Sequence, residues 1–337
     1  MPWANNHLVY ASCIFDIQIN QDSFIFLPLA KISTLMFDLS KKLWQWLAML
    51  FLALVWGSSF ILMKKGLVAF TFTQVAGIRV FFGFVLLLPA IAQHYRKVNR
   101  QNVGSIAIVG YAGIFFPAFL FALAQTNISS ALSGMLNSSA TLFALIVGIV
   151  FYKNRPTNNQ IVGVLLGFIG ALALITGGDI KSIFGANSYA LYVLIATIGY
   201  GINVNEVRFR LPNMNGIQVT TLSFLLVGPA AGIILIFTDF SVALQSDMFW
   251  PSLLAILGLS AFGSVISLFV FNNLIRHTSA LFATSVTYII PFFAIIWGLF
   301  DGETVNAVLI VGIAIVLLGV YLVNRKKRLS KEIMAEG

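Results

Sequence analysis

Long apolar segments recur along almost the whole chain, and they limit the fold more than any other feature of the sequence. A helix needs roughly 20 apolar residues to cross a bilayer, and segments of that kind follow one another between residues 43 and 323. Only 9% of the residues are charged and 59% are hydrophobic, whereas soluble domains are about 25% charged. The sequence therefore predicts an all-α polytopic membrane protein.

Ten transmembrane helices fit the apolar segments. We predict spans at 43–63, 72–93, 103–123, 131–152, 160–175, 189–205, 217–237, 252–271, 280–300 and 305–323. The cytoplasmic side of membrane proteins is enriched in Lys and Arg. With both termini in the cytoplasm, sixteen Lys and Arg residues lie on that side and three lie outside. This bias favours ten spans with cytoplasmic termini.

Two tails flank the spans. Residues 1–42 have no basic segment followed by an apolar core, so they do not read as a secretory signal. Met36 precedes Lys41, Lys42 and the first span, which makes it a candidate true start and residues 1–35 an over-extended translation start. The alternative is a disordered or surface-lying tail. Residues 325–337 are expected to form a basic cytoplasmic tail.

The sequence also repeats itself. A shift of 144 residues aligns Trp56-Gly57 with Tyr200-Gly201. A shift of 150 residues aligns two rows of small and polar residues. The first row is Gly134, Asn137, Thr141, Ala144 and Gly148, and the second row, in the same order, is Thr284, Thr287, Pro291, Ala294 and Gly298. The chain thus divides into two five-helix repeats, 43–176 and 177–324. Because five is odd, the repeats are inverted relative to each other, as in many secondary transporters that bind substrate near the midplane.

The repeated row predicts a central cavity between spans four and nine. Small residues let helices approach closely, and polar groups within a bilayer must face protein or water. We expect Asn137, Thr141, Thr284, Thr287 and Tyr288 to face the cavity. Close packing without a ligand is the alternative, and it is the expected role of Gly57, Gly134, Gly148 and Gly298. Pro291 is expected to kink span nine and to act as a hinge.

Arg79 is a formal charge deep within the second span. An Arg at the centre of a membrane helix costs on the order of 3 kcal/mol even on a lenient scale. It could attract an anionic group such as a carboxylate. It could instead extend to the outer surface or tie helices together through backbone carbonyls.

Further cavity candidates lie near the ends of spans one and six. Trp56, Ser58 and Ser59 could provide an apolar wall and adaptable hydroxyls, and Tyr200 and Asn203 occupy the equivalent region of the second repeat. Packing or interfacial roles are the alternatives. Glu206 is the best remaining carboxylate for ion coupling, but it lies near Arg208 and Arg210 at the expected water boundary, where a solvated salt bridge is the favoured interpretation.

These residues together resemble the drug/metabolite transporter superfamily, in its EamA-type ten-helix branch. The similarity covers roughly residues 43–323 and is carried by Trp56-Gly57-Ser58-Ser59-Phe60, Arg79, Pro291, Gly298, Glu303 and Gly312. It implies secondary transport of a small organic solute, often export of amino acids or other metabolites from bacteria. The small multidrug branch uses a carboxylate in its first helix, and span 43–63 contains none.

We therefore expect a secondary transporter of the bacterial inner membrane that moves an amino-acid-like or amphipathic metabolite by alternating access, with export favoured. A channel, or a receptor or scaffold without carrier activity, is the alternative. Catalysis is not expected, since His7, His94 and His277 lie in tails or at span ends and neither HExxH nor GxSxG occurs.

The expected partners are the lipid bilayer and a small solute. No metal, cofactor or nucleic acid is expected, because Cys13 is the single cysteine and the positive-inside bias accounts for the basic residues. Self-association is left open.

Overall fold

A computed structural model describes residues 39–153, 155–176, 186–278 and 285–324 of the chain. The regular secondary structure within these ranges is helical, with no strand. The first half contains α1 (Lys42–Gly66), α2 (Phe72–His94), α3 (Val103–Ala124), α4 (Ser130–Tyr152) and α5 (Asn158–Thr176). The tails and Thr284 lie outside the described ranges.

The second half contains α6 (Ala190–Arg210), α7 (Gly216–Ile236), α8 (Phe249–Phe271, continuing to His277), α9 (Ile290–Phe300) and α10 (Ala307–Asn324). A one-turn helix, Ser241–Leu244, precedes α8. Eight helices of the described ranges, α1 to α8, are long and apolar enough to cross a membrane, and α9 and α10 contain shorter apolar stretches. An all-helical polytopic membrane protein is thereby confirmed, and the ten-span topology stays a prediction.

Large apolar side chains cover the outside of the bundle. Phe151, Ile236 and Phe300 are among the most exposed, at 72%, 78% and 81%. Exposed apolar surface on this scale is unfavourable in water but suits lipid contact. The buried core follows the helix contacts inside the bundle, where Leu52, Leu136 and Phe224 have no exposed surface.

Two helix pairs make the most extensive contacts, α5 with α10 and α2 with α7. The α5–α10 pair is a glycine seam, which we define as Gly163, Gly167, Gly170, Gly312 and Gly319. A Cβ on Gly170 would lie 2.7 Å from the backbone nitrogen of Val316, and one on Gly319 would lie 2.5 Å from the carbonyl oxygen of Gly163. Only glycine allows the two backbones to come this close.

One tight contact occurs twice, at positions that correspond between the two halves. A Cβ on Gly57 of α1 would lie 2.5 Å from Cβ of Phe293 in α9. A Cβ on Gly201 of α6 would lie 2.8 Å from the carbonyl carbon of Phe143 in α4. The shifts of 144 and 150 residues relate the two members of each pair. The α1–α9 and α6–α4 packings are therefore equivalent.

Helix α4 matches the predicted span at 131–152, but a two-residue turn divides it. Ser138 and Ser139 form a turn between the helical segments Ser130–Asn137 and Ala140–Tyr152. The Ser138 hydroxyl donates to the carbonyl oxygen of Thr287 at 3.3 Å. The helical row of small residues does not reveal such a break.

Helix α9 differs from its predicted span. A 3-10 helix, Ser285–Tyr288, and a turn at Ile289 precede Ile290–Phe300. Pro291 therefore lies in the first turn of α9, and the prediction of a mid-helix kink at Pro291 is wrong. A first-turn amide has no acceptor within the helix, so proline fits there without loss. The break falls 150 residues after the break in α4.

Helices α3 and α8 contain π-helical segments at matching positions. These segments are Tyr111–Phe115 and Leu259–Ile266. A π segment rotates the residues that follow it and is often found at functional sites. Here the two segments bring Gly113, Ile114, Gly263 and Ser264 to one cavity.

Candidate functional site

A cavity of about 190 Å³ lies inside the bundle. Its walls combine residues of both halves of the chain, including the broken segment of α4 and the π segments of α3 and α8. Among the described lining residues Arg79 is the one formal charge. The lining is completed by Trp56, Ser59, Phe60, Met63, Gly113, Ile114, Ala118, Phe121, Asn137, Ala140, Thr141, Ala144, Tyr200, Asn203, Val204, Gly263, Ser264, Leu268, Phe271, Val286, Thr287 and Ile290.

Eight of the eleven predicted cavity residues line this space. They are Trp56, Ser59, Arg79, Asn137, Thr141, Tyr200, Asn203 and Thr287. Ser58 does not, because its hydroxyl donates to the carbonyl oxygen of Leu54 at 2.7 Å and accepts from Trp297 Nε1 at 2.8 Å. Thr284 and the side chain of Tyr288 lie outside the described part of the chain. That any of these residues binds a solute stays a prediction.

The predicted packing residues lie at helix contacts. Gly57 packs on α9, and Gly134 packs on α9 and Phe60, where its Cβ would lie 2.3 Å from Cβ of Ala294. A Cβ on Gly298 would lie 2.9 Å from Cβ of Ala131. Gly148 and Pro291 are buried.

Among the described residues, Arg79 makes its hydrogen bonds to other helices with α8 alone. Its Nε donates to Ser264 Oγ at 3.0 Å, and Ser260 Oγ donates to the Arg79 carbonyl oxygen at 2.6 Å. Both serines belong to the π segment of α8, so α2 and α8 are joined at the cavity wall. Arg79 follows Phe72 by seven residues, about 10 Å along the helix. Its guanidinium therefore points into the cavity rather than extending to the end of the bundle.

Three polar side chains face the cavity without a hydrogen bond to any described residue. They are the amides of Asn137 and Asn203 and the hydroxyl of Tyr200. Asn203 lies directly over Gly113, where a Cβ would lie 2.2 Å from its Nδ2. These side chains are partly exposed, towards the cavity, so their polar atoms are available to a polar ligand or to water.

Aromatic rings form the apolar walls. Trp56 Nε1 donates to the carbonyl oxygen of Gly263 at 3.0 Å, and its ring meets Phe271 edge-on at 5.1 Å. Phe121 lies 5.8 Å from Phe60 and 6.0 Å from Tyr200 between ring centroids. Because the indole N–H is already bonded, Trp56 offers the cavity an apolar face.

The broken segments of α4 and α9 meet at one edge of the cavity. Thr141 Oγ1 and Thr287 Oγ1 are 3.2 Å apart. Together with the Ser138 bond to the Thr287 backbone, this contact joins the two interrupted helices where the row of small residues predicted a pair.

An ionic cluster closes one end of the bundle, which we call the Glu303 end. Lys64 Nζ bonds both Glu303 Oε1 and Asp301 Oδ2 at 2.7 Å, and Lys65 Nζ bonds Asp301 Oδ1 at 2.5 Å. Glu303 also accepts from the backbone nitrogens of Ser130 and Ala131, both at 2.9 Å. A carboxylate is favoured at a helix N-terminus, so Glu303 links α1, α4 and the segment between α9 and α10.

The same bonds set the ionisation of this cluster. Hydrogen bonds from Lys64 and Lys65 lower the pKa of Asp301. Burial raises the pKa of Glu303, but hydrogen bonds from Lys64 and from the backbone at Ala131 and Ser130 outweigh it, and the pKa is lowered. Both groups are therefore carboxylates at neutral pH.

The opposite end, which we call the Glu206 end, corrects a sequence expectation. Glu206 is 7% exposed and accepts a short hydrogen bond from the Tyr152 hydroxyl. Asn205 Nδ2 donates to the carbonyl oxygen of Ala144 at 2.8 Å. The solvated salt bridge expected for Glu206 is wrong, because α6 turns this side chain towards α4 and away from water.

Several lining residues were missed by sequence reasoning, notably Gly113, Phe121, Gly263, Ser264 and Phe271. The 150-residue shift that aligns α4 with α9 also aligns Gly113 with Gly263 and Phe121 with Phe271. Extending the comparison to α3 and α8 would have found them. Among the described residues, no group of three His, Cys, Asp or Glu could hold a metal ion.

Comparison with known proteins places the chain in a family. The model of the EamA-like transporter family matches residues 43–176 and, a second time, residues 187–325. The chain belongs to the EamA-like transporter family. The resemblance to the EamA branch of the drug/metabolite transporters is thereby confirmed.

Relatives of this EamA-like chain include proteins named as transporters. "Uncharacterized inner membrane transporter YedA" of Escherichia coli K12 is 26% identical over 290 residues, which cover 84% of this chain and 91% of YedA. An "Uncharacterized transporter" of Archaeoglobus fulgidus is 22% identical over 84% of this chain and 99% of its own length. A WAT1-related chloroplastic protein of Arabidopsis thaliana is 26% identical over 83% of this chain and 69% of its own length.

A solved structure described as "Crystal structure of protein" shares the fold. It covers 82% of this EamA-like chain and 94% of its own, with a TM-score of 0.57 and 15% sequence identity. Family, relatives and apolar helices agree that the chain is a membrane transporter. It is a multi-pass protein of the bacterial inner membrane.

Proposed function

We propose that this EamA-like protein is a secondary transporter that moves a small, amino-acid-like or amphipathic metabolite by alternating access, with export the favoured direction. The observation that carries the proposal is one cavity lined from both halves of the chain, with polar groups from α4 and α6 that have no hydrogen-bond partner among the described residues. Such sites between repeats are typical of secondary transporters. Export is implied by the family resemblance.

The proposed architecture is ten spans in two inverted five-helix repeats, 43–176 and 177–324, with cytoplasmic termini. Support comes from the two matches to the family model and from the equivalent α1–α9 and α6–α4 contacts. The matching breaks in α4 and α9 and the matching π segments in α3 and α8 add to it. In this topology the Glu303 end faces outside and the Glu206 end faces the cytoplasm.

The two ends also support alternating access. Glu303 connects α1 with the segment after α9, and Tyr152 with Glu206 connects α4 with α6 at the opposite end. Because the α1–α9 and α4–α6 contacts are equivalent, the Glu303 contacts and the Tyr152–Glu206 contact would hold the two access routes closed, one at each end. We call each of these sets of contacts a lock. Opening one lock while the other stays closed exposes the cavity to one side at a time.

The experiment begins by comparing metabolites in medium and cytosol of cells that lack or overproduce the protein. The solute that changes most is then tested for flux in proteoliposomes. We expect saturable flux and counterflow, both reduced by Asn137→Ala. Asn127→Ala is the matched control, because Asn127 lies on an exposed loop.

A channel or a scaffold gives a different result. Linear, non-saturating ion current would indicate a channel, and absence of any flux from well-folded protein would indicate a receptor or scaffold. Either outcome would refute the carrier proposal. Equal loss of flux in Asn137→Ala and Asn127→Ala would show that the effect of Asn137→Ala does not come from the cavity.

A further inference from the structure

We infer that the cavity selects small organic anions, with one carboxylate and an apolar body, over zwitterions and cations of the same size. This inference rests on the proposed transport function and narrows its substrate class at the same site: of the amino-acid-like and amphipathic solutes proposed above, it keeps the amphipathic ones with a single negative charge and disfavours zwitterionic amino acids. Three features of the cavity carry it: a positive charge that no described carboxylate balances, a set of hydrogen-bond donors without partners among the described residues, and aromatic walls.

In the described part of the protein, no carboxylate at the cavity balances the positive charge of Arg79. None of the carboxylates there lines the cavity, namely Glu206, Asp239, Asp247, Asp301 and Glu303. Residues 39–178 contain no Asp or Glu at all. A charge in a low-dielectric site is stabilised by an opposite charge nearby. Since the described surroundings supply none, an anionic solute would.

The free donors of Arg79 face the same space. A guanidinium has five N–H donors in a planar fork that fits a carboxylate. In Arg79 the Nε–H bonds Ser264, and the four Nη–H groups have no partner among the described residues. Anchoring α2 to α8 therefore uses one donor of five. Joining α2 to α8 does not account for the four Nη–H donors.

The remaining polar groups extend this donor set. The amides of Asn137 and Asn203 and the hydroxyl of Tyr200 can each donate a hydrogen bond. They can also accept one, but a neutral oxygen does not balance an ammonium charge. An ammonium would share a cavity of about 190 Å³ with the Arg79 guanidinium, and like charges at short range repel. Zwitterions and cations are thus disfavoured.

The rest of the lining suits an apolar body. Rings of Trp56, Phe60, Phe121 and Phe271 line the cavity, and the indole N–H is satisfied by Gly263. Ligand sites of this kind combine apolar walls with a few polar groups that fix orientation. The carboxylate end of a solute would meet Arg79, and its apolar end would meet the rings.

The test uses four probes with the same carbon skeleton and different charge. These are 3-phenylpropanoate, 3-phenylpropanamide, 3-phenylpropylammonium and phenylalanine, titrated by calorimetry into the full-length protein in nanodiscs. We expect the propanoate to bind at least about tenfold more tightly than each of the other three, which is the worth of one charge-assisted hydrogen bond. Arg79→Gln should bring the Kd values of propanoate and amide together.

Arg96→Gln is the matched control, because Arg96 is exposed in the turn after α2, and it should keep the carboxylate preference. Arg79→Lys retains the positive charge and should keep the preference too. If Arg79→Gln does not fold, the ranking of the four probes on the unmodified protein and on Arg79→Lys decides.

Binding of phenylalanine or the ammonium as tightly as the propanoate would overturn the inference. So would a carboxylate preference that survives Arg79→Gln, or no binding of the propanoate at all. Saturable flux of some other solute in those cases would leave the carrier function standing. Linear flux would refute the carrier function whatever the ranking of the probes.

Discussion

Replacing Glu303 with Gln tests whether the carboxylate at the Glu303 end stabilises the fold. The Glu303 side chain is 5% exposed and accepts from Lys64 Nζ and from the backbone nitrogens of Ser130 and Ala131. Gln has one acceptor oxygen where Glu has two. At least one amide in the first turn of α4 therefore loses its acceptor, whichever way the new side chain is oriented.

The expected cost follows from these contacts. A hydrogen bond to a charged group contributes about 1.5–3 kcal/mol, and a buried amide without a partner costs about 1–3 kcal/mol. Lys64 adds little to the loss, because its side chain is 35% exposed and keeps Asp301 at 2.7 Å. We therefore expect Glu303→Gln to lower the free energy of unfolding by about 2–4 kcal/mol.

The stability difference between wild type and Glu303→Gln should depend on pH. The pKa of Glu303 in the folded protein is below its ordinary value of 4.5. The carboxylate therefore stabilises the fold fully above pH 4.5, and this stabilisation is lost as the pH falls through the folded pKa. Asp301 is present in both wild type and Glu303→Gln, so its contribution to the pH dependence of stability cancels in the difference between them. The difference between wild type and variant should be largest at neutral pH and should vanish in acid.

Chemical denaturation of the purified protein in nanodiscs, followed by tryptophan fluorescence from pH 7 downwards, measures the difference. Asp247→Asn is the control, because Asp247 is an exposed carboxylate in the loop before α8, and it should leave stability unchanged. Equal stability of wild type and Glu303→Gln at pH 7 would refute the reasoning. A difference that persists unchanged in acid would show that packing, not charge, is responsible.

Three further predictions concern packing, the Glu206 end and topology. Gly57→Ala should destabilise the protein by about 1–3 kcal/mol through overpacking. Gly104→Ala, whose new Cβ meets nothing within 4 Å, should stabilise it. A Gly57→Ala variant that is more stable than Gly104→Ala in chemical denaturation would contradict the tight contact at Gly57. Tyr152→Phe should cost about 1–3 kcal/mol because it leaves a buried carboxylate without its donor, and an unchanged unfolding curve would argue against that bond. A cysteine at Val68 should react with an impermeant maleimide from outside and one at Tyr95 from inside, and labelling of both from the same side would rule out the proposed topology.

Much of the fold followed from the sequence because its cause is local. The exclusion of charge from long segments predicts membrane helices wherever it occurs. The row through Asn137 and Thr141 pointed to a cavity wall, since small and polar residues on one helical face must meet protein. Arg79 was identified for the same reason, because a charge within an apolar span needs a protein or water environment.

The remaining features depend on contacts between distant segments. Ser58 and Ser59 are neighbours in sequence, and only the packing of α1 against α8 and α9 decides that Ser59 reaches the cavity and Ser58 does not. At the break in α4, Ser138 bonds the Thr287 backbone, 149 residues away, and the local sequence does not show this contact. Glu206 was misread because its place near a helix end does not give the direction of its side chain.

The glycine seam between α5 and α10 restricts how the two halves can shift. At Gly170 and Gly319 the main chains are so close that a sliding displacement would make side chains next to these glycines overlap with the opposing main chain. Rotation about the long axis of this pair avoids that overlap. We therefore expect the seam to act as a pivot, with displacements during a transport cycle that grow with distance from it.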